Sequence, residues 1–376
     1  MRILMLAPET PVPATSGVRL RMLHIARALA ASADLEVAVL GDVPDHEEPF
    51  PILSTRSASP RLRALASVGK PYLAARHESR DLERIAARAA PDTVQAEFPY
   101  LVPAAAHARV PIVLDAHNVE SDLAGSFAAS DPRRLWRARW RWEAGKLARF
   151  ERDAVRAATT VCATSDADAA TFEAMGAVDV VVVPNGVDTG AIPFSPAPPG
   201  GLLVVYVANF GYLPNLGAAR ELVEEILPRL RATVPGSTLR LVGRDAPARR
   251  ADPVAGVEVV GDVEDVVPHL HAARVTVIPL RAGSGTRLKA LEAMAAGVPV
   301  VSTRLGVAGL EVRDGEHVLL AESSAELADA AAAVLRDDAL ARRLAEAGRA
   351  LVESRYDWPI VTRPLLEVHE RLAGRR

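Results

Sequence analysis

Short apolar runs alternate with helical patterns along most of this 376-residue chain. The apolar runs are rich in valine, isoleucine and leucine, and the segments between them repeat apolar residues every three or four positions. This alternation is typical of parallel strands joined by crossover helices, so the expected fold class is α/β. The pattern predicts strands at 2–7, 35–40, 93–96, 111–115, 160–164, 178–183, 202–208, 239–242, 257–260 and 275–279, and helices at 19–31, 133–157, 166–175, 216–231, 325–335, 339–354 and 356–372.

A proline-rich segment interrupts this alternation. Residues 191–201 contain four prolines and two glycines, which predicts a linker. It separates two tandem Rossmann-like domains, 1–190 and 202–355, and the last segment, 356–376, is expected to return to the first domain as a helix. Ligands bind outside the carboxyl ends of the strands in such sheets, so two facing domains would enclose a cleft between these edges.

Composition excludes several classes of protein. The formal net charge of −3 gives no general attraction for nucleic acid. Cys162 is the single cysteine and lies in an apolar run, so a disulfide framework is excluded and a buried thiol is expected. The chain has no apolar stretch of about 20 residues, the length that spans a membrane. Its first residues lack the pattern of a secretion signal, which predicts a cytoplasmic location.

The segment 283–302 is the most informative for function. A turn containing Gly283 and Gly285 leads into a helix, which Gly297 is expected to end in a left-handed conformation. The apolar stripe of this helix consists of Leu288, Leu291 and Met294. A glycine-rich turn that opens a helix brings backbone N–H groups close to a ligand.

The start of this helix carries Arg287 and Lys289, and Glu292 lies one turn further on the same face. Cations beside free N–H groups suit an anion, and the carboxylate suits hydroxyls, so a nucleoside diphosphate fits the pattern. An ordinary turn with a solvated arginine and a Lys289–Glu292 surface pair is the alternative. The chain has three lysines against 41 arginines, so a lysine at this position is less expected to be an incidental surface residue.

Six motifs make the chain similar to a known family. They are Pro8 to Gly17, Leu114-Asp-Ala-His-Asn-Val-Glu120, Val183-Pro-Asn-Gly-Val-Asp188, Val207-Ala-Asn-Phe-Gly-Tyr-Leu-Pro-Asn215, Leu241-Val-Gly-Arg244 and Thr286 to Thr303. In this order and at these spacings they resemble the retaining glycosyltransferases of family 4, which have the GT-B fold. The resemblance implies two Rossmann-like domains facing across a cleft, and transfer of a hexosyl or related group from a nucleotide-sugar to an acceptor.

The resemblance and the charge pattern together assign roles to individual residues. The expected catalytic residues are His117, which would orient the transferred sugar, and Arg244 and Lys289, which would stabilise the leaving diphosphate. The expected donor-binding residues are Gly17, Asn209, Ser284, Gly285, Thr286, Arg287, Leu288 and Glu292. The expected acceptor-side residues are Ser16, Asn118 and Glu120.

Three positions depart from the family pattern. Two basic residues that clamp the diphosphate in many members correspond here to Phe210 and Leu216, so the charge is expected to come from the other cations. The first member of the family's glutamate pair corresponds to Ser284, whose hydroxyl or a nearby N–H would contact the donor sugar. Glu292 matches the second member, which holds ribose hydroxyls.

Metal-binding patterns are weak. Asp166 and Asp168 look like the Asp-x-Asp motif of a different glycosyltransferase fold, but Ser165 directly before a helix predicts a cap followed by first-turn acids. His269 and His271 lack convincing ligand spacing. The expectation is that no essential metal and no cofactor besides the substrate are required.

Residues 133–142 place five arginines among three tryptophans. Such a helix suits a membrane surface with a lipid-linked acceptor, and would add a peripheral location at the inner face of the membrane. Alternatively, the tryptophans enter the domain core and the arginines face water.

Two other functions of the protein also stay open: a nucleotide-sugar epimerase or phosphorylase of the same fold, or a non-catalytic nucleotide-sugar-binding protein. The sequence does not identify the base, the sugar, the acceptor (a glycan, a lipid-linked molecule or a small molecule) or the oligomeric state.

Overall fold

A computed structural model describes residues 1–56, 67, 69–130, 133–196, 200–246, 255–283 and 287–374. They form two compact units: Met1–Pro184 together with Val361–Arg376, and Asn185–Ile360. The residues after Pro184 belong to the second unit because Val187 pairs with Tyr356 and Asp357 through backbone hydrogen bonds and a bridge. Both units are α/β, as the alternation predicted.

The strands are β1 Arg2–Ala7, β2 Asp34–Leu40, β3 Ile52–Thr55, β4 Thr93–Glu97, β5 Ile112–Ala116, β6 Thr160–Ala163, β7 Val180–Val182, β8 Leu203–Val207, β9 Thr238–Val242, β10 Val257–Val260, β11 Val275–Ile278, β12 Val300–Ser302 and β13 Val318–Leu320. The helices are α1 Gly17–Ser32, α2 Tyr72–Arg76, α3 Arg80–Arg88, α4 Val102–Ala105, α5 Glu120–Ser130, α6 Arg134–Ala157, α7 Asp166–Met175, α8 Leu213–Glu221, α9 Leu227–Thr233, α10 Val267–His271, α11 Leu288–Ala296, α12 Ser324–Arg336, α13 Asp338–Arg355, α14 Trp358–Val361 and α15 Arg363–Ala373.

Within the described residues, the first unit has a seven-stranded parallel sheet in the order β3-β2-β1-β4-β5-β6-β7. Strand β1 lies between β2 and β4, and Met5 is opposite both Val37 and Gln95. Alternate residues of β1 enter different cores: Met5 packs with α1 and α15, and Leu4 packs on the other face with α3. The strand order reverses beside β1, where ligands of such sheets bind at the carboxyl edge.

The described part of the second unit has a six-stranded parallel sheet in the order β10-β9-β8-β11-β12-β13. The same reversal therefore occurs between β8 and β11, and Gly283 and Arg287 follow β11 along the chain. Gly243 directly after β9 has φ +128°, and a Cβ there would lie 2.2 Å from the carbonyl oxygen of Ala208. Only glycine allows this close turn, which leads the chain to Arg244.

Several helices differ from their predicted bounds. The predicted helix 216–231 consists of three segments. A wider, π-helical turn at Leu222–Ile226 lies between α8 and α9, and Pro228 is in the first turn of α9. The predicted helix 356–372 is α14 and α15, because Pro359 and Pro364 each start a new helix. Gly297 ends α11 with φ +86°, as predicted. No described helix has both the length and the apolar character that crossing a bilayer needs.

Candidate active site

His117 follows β5 at the carboxyl edge of the first sheet and is buried. Its Nε2 lies 2.7 Å from Oε2 of Glu97, the last residue of the neighbouring strand, and 3.4 Å from Oδ2 of Asp115. The ring of Phe98 stacks on the imidazole with centroids 4.0 Å apart. Phe98 has φ 76°, a strained conformation for a residue with a side chain, which the surrounding contacts must offset.

A buried arginine neutralises this cluster. Arg21 on α1 is 1% exposed, and its guanidinium donates to both carboxylate oxygens of Asp115, at 2.6 and 2.8 Å. The same guanidinium donates to the carbonyls of Val183 and Pro184. Burial alone would raise the pKa of Asp115, but the charge and hydrogen bonds of Arg21 hold it below its ordinary value.

Glu97 is less well compensated than Asp115. Burial and the neighbouring Asp115 charge raise the pKa of Glu97, and hydrogen bonds from His117 and Gln95 oppose that rise. Glu97, Asp115 and His117 each offer one metal-ligand atom, and these atoms lie within 4.8 Å of one another. Arg21 already donates to Asp115, and His117 shares a hydrogen bond with Glu97, so the arrangement is that of a hydrogen-bonded network rather than an open ligand set.

Sequence reasoning identified His117 but missed Arg21 and Glu97. A usable signal exists for Glu97, because Thr93, Gln95 and Glu97 are polar at alternate positions of a short strand that is buried throughout. A single arginine in an amphipathic helix gives no comparable signal. Only the fold brings Arg21 to Asp115, 94 positions later in the sequence.

The predicted acceptor-side residues are spread along the carboxyl edge of the first unit. Ser16 caps α1 by accepting a hydrogen bond from the N–H of Arg19, and Gly17 opens that helix and is exposed. Asn118 is half-buried beside His117 in sequence. Glu120, buried at the start of α5, has its pKa raised to about 7 by burial and by the Glu151 charge.

A cavity of about 380 Å³ lies next to Glu120 in the first unit. Its walls come from α2, α5 and α6, and include Tyr72, Leu73, Glu120, Leu123, Ala124, Trp136, Arg139, Trp140, Glu143 and Leu147. Trp136 and Trp142 are 44% and 46% exposed, and Leu135 is 87% exposed. The interpretation that all three tryptophans of 133–142 enter the core is therefore wrong for Trp136 and Trp142.

Lys289 is the centre of a second polar cluster, in the second unit. Its Nζ donates to Oδ1 of Asn215 at 2.6 Å and to the hydroxyl of Tyr206 at 3.0 Å, and it lies 4.6 Å from the Tyr206 ring centroid. Asn215 also donates to the carbonyl of Asn209. These partners are uncharged, so Lys289 bonds to them rather than forming the surface pair with Glu292.

Burial and the nearby Arg287 charge lower the pKa of Lys289 to about 7. Burial also raises the pKa of Glu292 to about 7, opposed by Lys289. Each group is therefore only partly ionised at neutral pH. Perturbed groups of this kind at a sheet edge are typical of functional sites.

Helix α11 begins at Leu288, and its N-cap residue, Arg287, makes no side-chain cap hydrogen bond. Arg287 is buried, and its guanidinium donates to the carbonyls of Gly283 and Leu305. Leu288 is partly buried against the core. The predicted donor-binding residues Ser284, Gly285 and Thr286 lie outside the described residues.

The other predicted residues of the second unit lie after β8 and β9. Asn209 is exposed and accepts a hydrogen bond from the N–H of Gly211. Arg244 is 45% exposed, and its Nε lies 3.9 Å from Oδ1 of Asp262. Phe210 is buried in the core, as expected for a position that has lost a basic ligand. Sequence reasoning missed Tyr206 and Asn215, the partners of Lys289.

The predicted caps are confirmed in the first unit. Ser165 accepts a hydrogen bond from the N–H of Asp168, and Asp168 in turn accepts one from the hydroxyl of Thr164. The Asp166 and Asp168 carboxylates therefore lie in the first turn of α7, where they complement the helix dipole. Cys162 on β6 is buried, and burial raises the pKa of its thiol well above the ordinary value.

Two family models match this chain. The model for Glycosyltransferase Family 4 matches residues 15–191, and the model for group 1 glycosyl transferases matches residues 201–337. The chain belongs to the family 4, group 1 glycosyltransferases. This result confirms the resemblance that the six motifs indicated.

Curated relatives of this glycosyltransferase include two mycobacterial enzymes. A phosphatidyl-myo-inositol mannosyltransferase from Mycobacterium leprae is 32% identical over 214 residues, which are 54% of this chain and 56% of the relative. A glycogen synthase from Mycobacterium tuberculosis is 29% identical, and the alignment covers 100% of this chain and 95% of the synthase. The chain thus matches only about half the length of the mannosyltransferase.

Solved structures show the same fold. Sucrose-phosphate synthase from Thermosynechococcus elongatus has a TM-score of 0.74 and 20% identity, with 100% of both chains covered. HepE from Anabaena, solved in complex with UDP-glucose, has a TM-score of 0.71 and 19% identity, with 99% of this chain and 100% of HepE covered. The two parallel-sheet units of this glycosyltransferase therefore have the GT-B fold, as predicted.

Proposed function

We propose that this glycosyltransferase moves a sugar from a nucleoside diphosphate sugar to an acceptor with retention of the anomeric configuration, without an essential metal. The observation that carries the proposal is Lys289, whose described hydrogen-bond partners are uncharged and which lies in the first turn of α11. A diphosphate would supply the missing negative charge. Its negative charge would also be stabilised by the N–H groups of the helix start.

The roles follow from the chemistry of each cluster. In the second unit, Lys289 and the first turn of α11 would stabilise charge on the leaving diphosphate, and Glu292 would accept hydrogen bonds from ribose hydroxyls. Arg244 is exposed at the same sheet edge and would add a second cation. In the first unit, Nε2 of His117 is engaged by Glu97, so Nδ1 would bind and orient the transferred sugar.

The experiment is a turnover assay with a panel of UDP-, GDP- and ADP-sugars, with nucleotide release and the anomeric configuration of the product followed by NMR. UDP-glucose belongs in the panel because HepE was solved with it. We expect nucleotide release that needs an acceptor and a product with the donor's anomeric configuration. His117→Ala should reduce turnover at least tenfold, because an orienting contact at the reacting sugar is lost.

Each alternative function predicts a different result in the same assay. An epimerase would convert the donor sugar without acceptor-dependent release of nucleotide. A phosphorylase would release sugar phosphate only with inorganic phosphate. A binding protein would hold the donor and release nothing. Inversion at the anomeric carbon, or loss of activity in chelator that returns with Mg²⁺, would contradict the retaining, metal-independent reaction.

We further propose that the acceptor carries a hydrocarbon chain, part of which occupies the cavity beside Glu120. The support is the apolar wall of this cavity, which includes the exposed Trp136, and the neighbouring exposed Leu135 in the sequence. Five arginines in 133–142 would bind an anionic headgroup. The name of the mannosyltransferase relative, which refers to a phosphatidyl lipid, agrees with this class of acceptor.

Vesicle co-sedimentation tests the acceptor class. The protein should bind vesicles of phosphatidylglycerol and phosphatidylcholine, and bind pure phosphatidylcholine several-fold less. Trp136→Ala should weaken binding, and Ile360→Ala, which removes an exposed apolar side chain from the second unit, is the matched control. Equal activity on a water-soluble acceptor and no binding to either vesicle would refute the proposal and leave the sugar-transfer assay unaffected.

A further inference from the structure

A line of buried hydrogen bonds connects the last helix of the first unit to His117. Thr93, Gln95 and Glu97 lie at alternate positions of β4, so their side chains share one face of the sheet. Nδ1 of His369, on α15, lies 2.8 Å from Oγ1 of Thr93, and its Nε2 lies 2.9 Å from Oε1 of Gln95. Nε2 of Gln95 lies 3.1 Å from Oε1 of Glu97, and Oε2 of Glu97 lies 2.7 Å from His117.

The donor and acceptor roles along this line are fixed by chemistry. Oε1 of Gln95 can only accept, so Nε2 of His369 carries the proton and Nδ1 accepts from the Thr93 hydroxyl. Burial lowers the pKa of His369 to about 4, which keeps the ring neutral and in this single tautomer. The amide N–H of Gln95 is then directed at Glu97, where it supports the ionised carboxylate.

The state of Glu97 decides which nitrogen of His117 carries the proton. An ionised Glu97 accepts from Nε2–H of His117, so Nδ1 presents a lone pair. A protonated Glu97 would donate to Nε2 and move the ring proton to Nδ1. Asp115 is the second carboxylate close to the ring, and Arg21 fixes it. Burial and the Asp115 charge raise the pKa of Glu97, and the hydrogen bonds of His117 and Gln95 oppose that rise, so the bond from Gln95 helps to decide whether Glu97 is ionised.

We propose that His369 and Gln95 are positioning residues for His117: they hold Glu97 as an ionised acceptor, which fixes the Nε2-protonated tautomer of His117 and aims Nδ1 at the sugar. The role of the tautomer in catalysis rests on the function proposed above. The hydrogen-bonded line itself does not, because all of its members lie in the first unit. The last helix thereby contributes to the site without touching substrate.

The experiment uses the full chain labelled with ¹⁵N-histidine, with the His117 ring signals assigned by their loss in His117→Asn. In the wild type, Nε2 of His117 should give a protonated-type signal and Nδ1 an unprotonated-type signal at neutral pH. His369→Phe removes both hydrogen bonds of the ring and should convert His117 to a mixture of tautomers or to the Nδ1-protonated form. His369→Gln can still donate to Gln95 and accept from Thr93, so it should restore the wild-type pattern.

Val368→Ala is the matched control, because Val368 is a buried neighbour on the same helix that packs in the apolar core. It should lower stability without changing the tautomer of His117. If His369→Phe does not fold, Gln95→Leu makes the same test from the middle of the line. A folded His369→Phe or Gln95→Leu variant with an unchanged His117 tautomer overturns the proposal.

Kinetics separate this inference from the proposed function. If the protein transfers sugar, His369→Phe should lower kcat about tenfold or more with little change in KM for the donor, since the wrong tautomer cannot accept the sugar hydroxyl. If the wild type transfers no sugar, the proposed function fails and the NMR result still decides the inference. A tautomer change in His369→Phe with undiminished kcat would remove the positioning role.

Discussion

The candidate site residues of the two units differ in how their charges are compensated by neighbouring side chains. In the first unit, the charges beside His117 are already paired: Asp115 has Arg21, and Glu97 accepts from Gln95 and His117. In the described part of the second unit, Lys289 donates to the hydroxyl of Tyr206 and to the side-chain oxygen of Asn215, and its Nζ lies over the Tyr206 ring. The cluster around His117 is a network of hydrogen bonds within the protein, whereas the charge of Lys289 would be neutralised by an anionic ligand.

The difference shows what each unit contributes. A paired network can keep a catalytic side chain in one orientation before any ligand arrives, at the cost of burying several ionisable groups. A buried lysine with a pKa of about 7 is costly to charge until an anion binds, so anion binding would be coupled to its protonation. Under the function proposed above, the first unit would position the sugar and the second would bind the diphosphate.

The largest expected effect comes from breaking the paired network. Arg21→Met leaves the Asp115 carboxylate buried without its counter-ion, and we expect a loss of about 3–5 kcal/mol in the free energy of unfolding. Arg274→Met is the comparison in the second unit: Arg274 is also 1% exposed, but its partner Asp338 is 55% exposed and can be solvated. Denaturant unfolding should show a clearly smaller loss for Arg274→Met, and equal losses would contradict the contrast between the units.

The next effect tests the cation in the second unit. Lys289→Met should weaken the binding of a nucleotide-sugar by roughly 10- to 100-fold, the range for losing a hydrogen bond to a charged group. Arg229→Met, which removes an exposed cation from α9, should leave the affinity unchanged. Isothermal titration calorimetry measures both, and an unchanged Kd in Lys289→Met would remove this residue from the donor site.

The pH dependence of nucleotide-sugar binding tests the charge of Lys289 in a second way. The diphosphate of a nucleotide-sugar keeps its charge above pH 6, whereas Lys289 loses its proton as the pH rises through about 7. Affinity should therefore fall between pH 6.5 and pH 8.5, by at most about tenfold per pH unit for one linked proton. Glu292 is a second group with a pKa near 7, so the test compares Glu292→Gln with the double variant Lys289→Met/Glu292→Gln. The fall in affinity should persist in Glu292→Gln and disappear in the double variant.

The smallest effect concerns Glu292. Its folded pKa of about 7 lies above the unfolded value near 4.3, so the folded state holds the extra proton and the wild type loses stability as pH rises between these values. Glu292→Gln should therefore be more stable than the wild type at pH 8, and this advantage should disappear as the pH falls to 4. It should also bind donor less well, and a variant without the pH-dependent gain would show that Glu292 is solvated.

Part of this site was predictable because it depends on local sequence. The glycine end of α11, the cap at Ser165 and the strand before His117 follow from a few neighbouring residues. Arg287 shows the limit of such reasoning. Its position at a helix start suggests a phosphate ligand, but its guanidinium donates to the carbonyls of Gly283 and Leu305.

The sequence by itself determined the class of fold, the family and the segments that carry the chemistry, because alternating apolar runs, turn glycines and motif spacing are written within short stretches of chain. Only the tertiary structure decided which side chains meet: Arg21 with Asp115, His369 with Gln95, and Lys289 with Tyr206 and Asn215. These pairs are 74 to 274 positions apart in the sequence. Their partnership depends on strand order and burial, which act through space, and no local pattern encodes them.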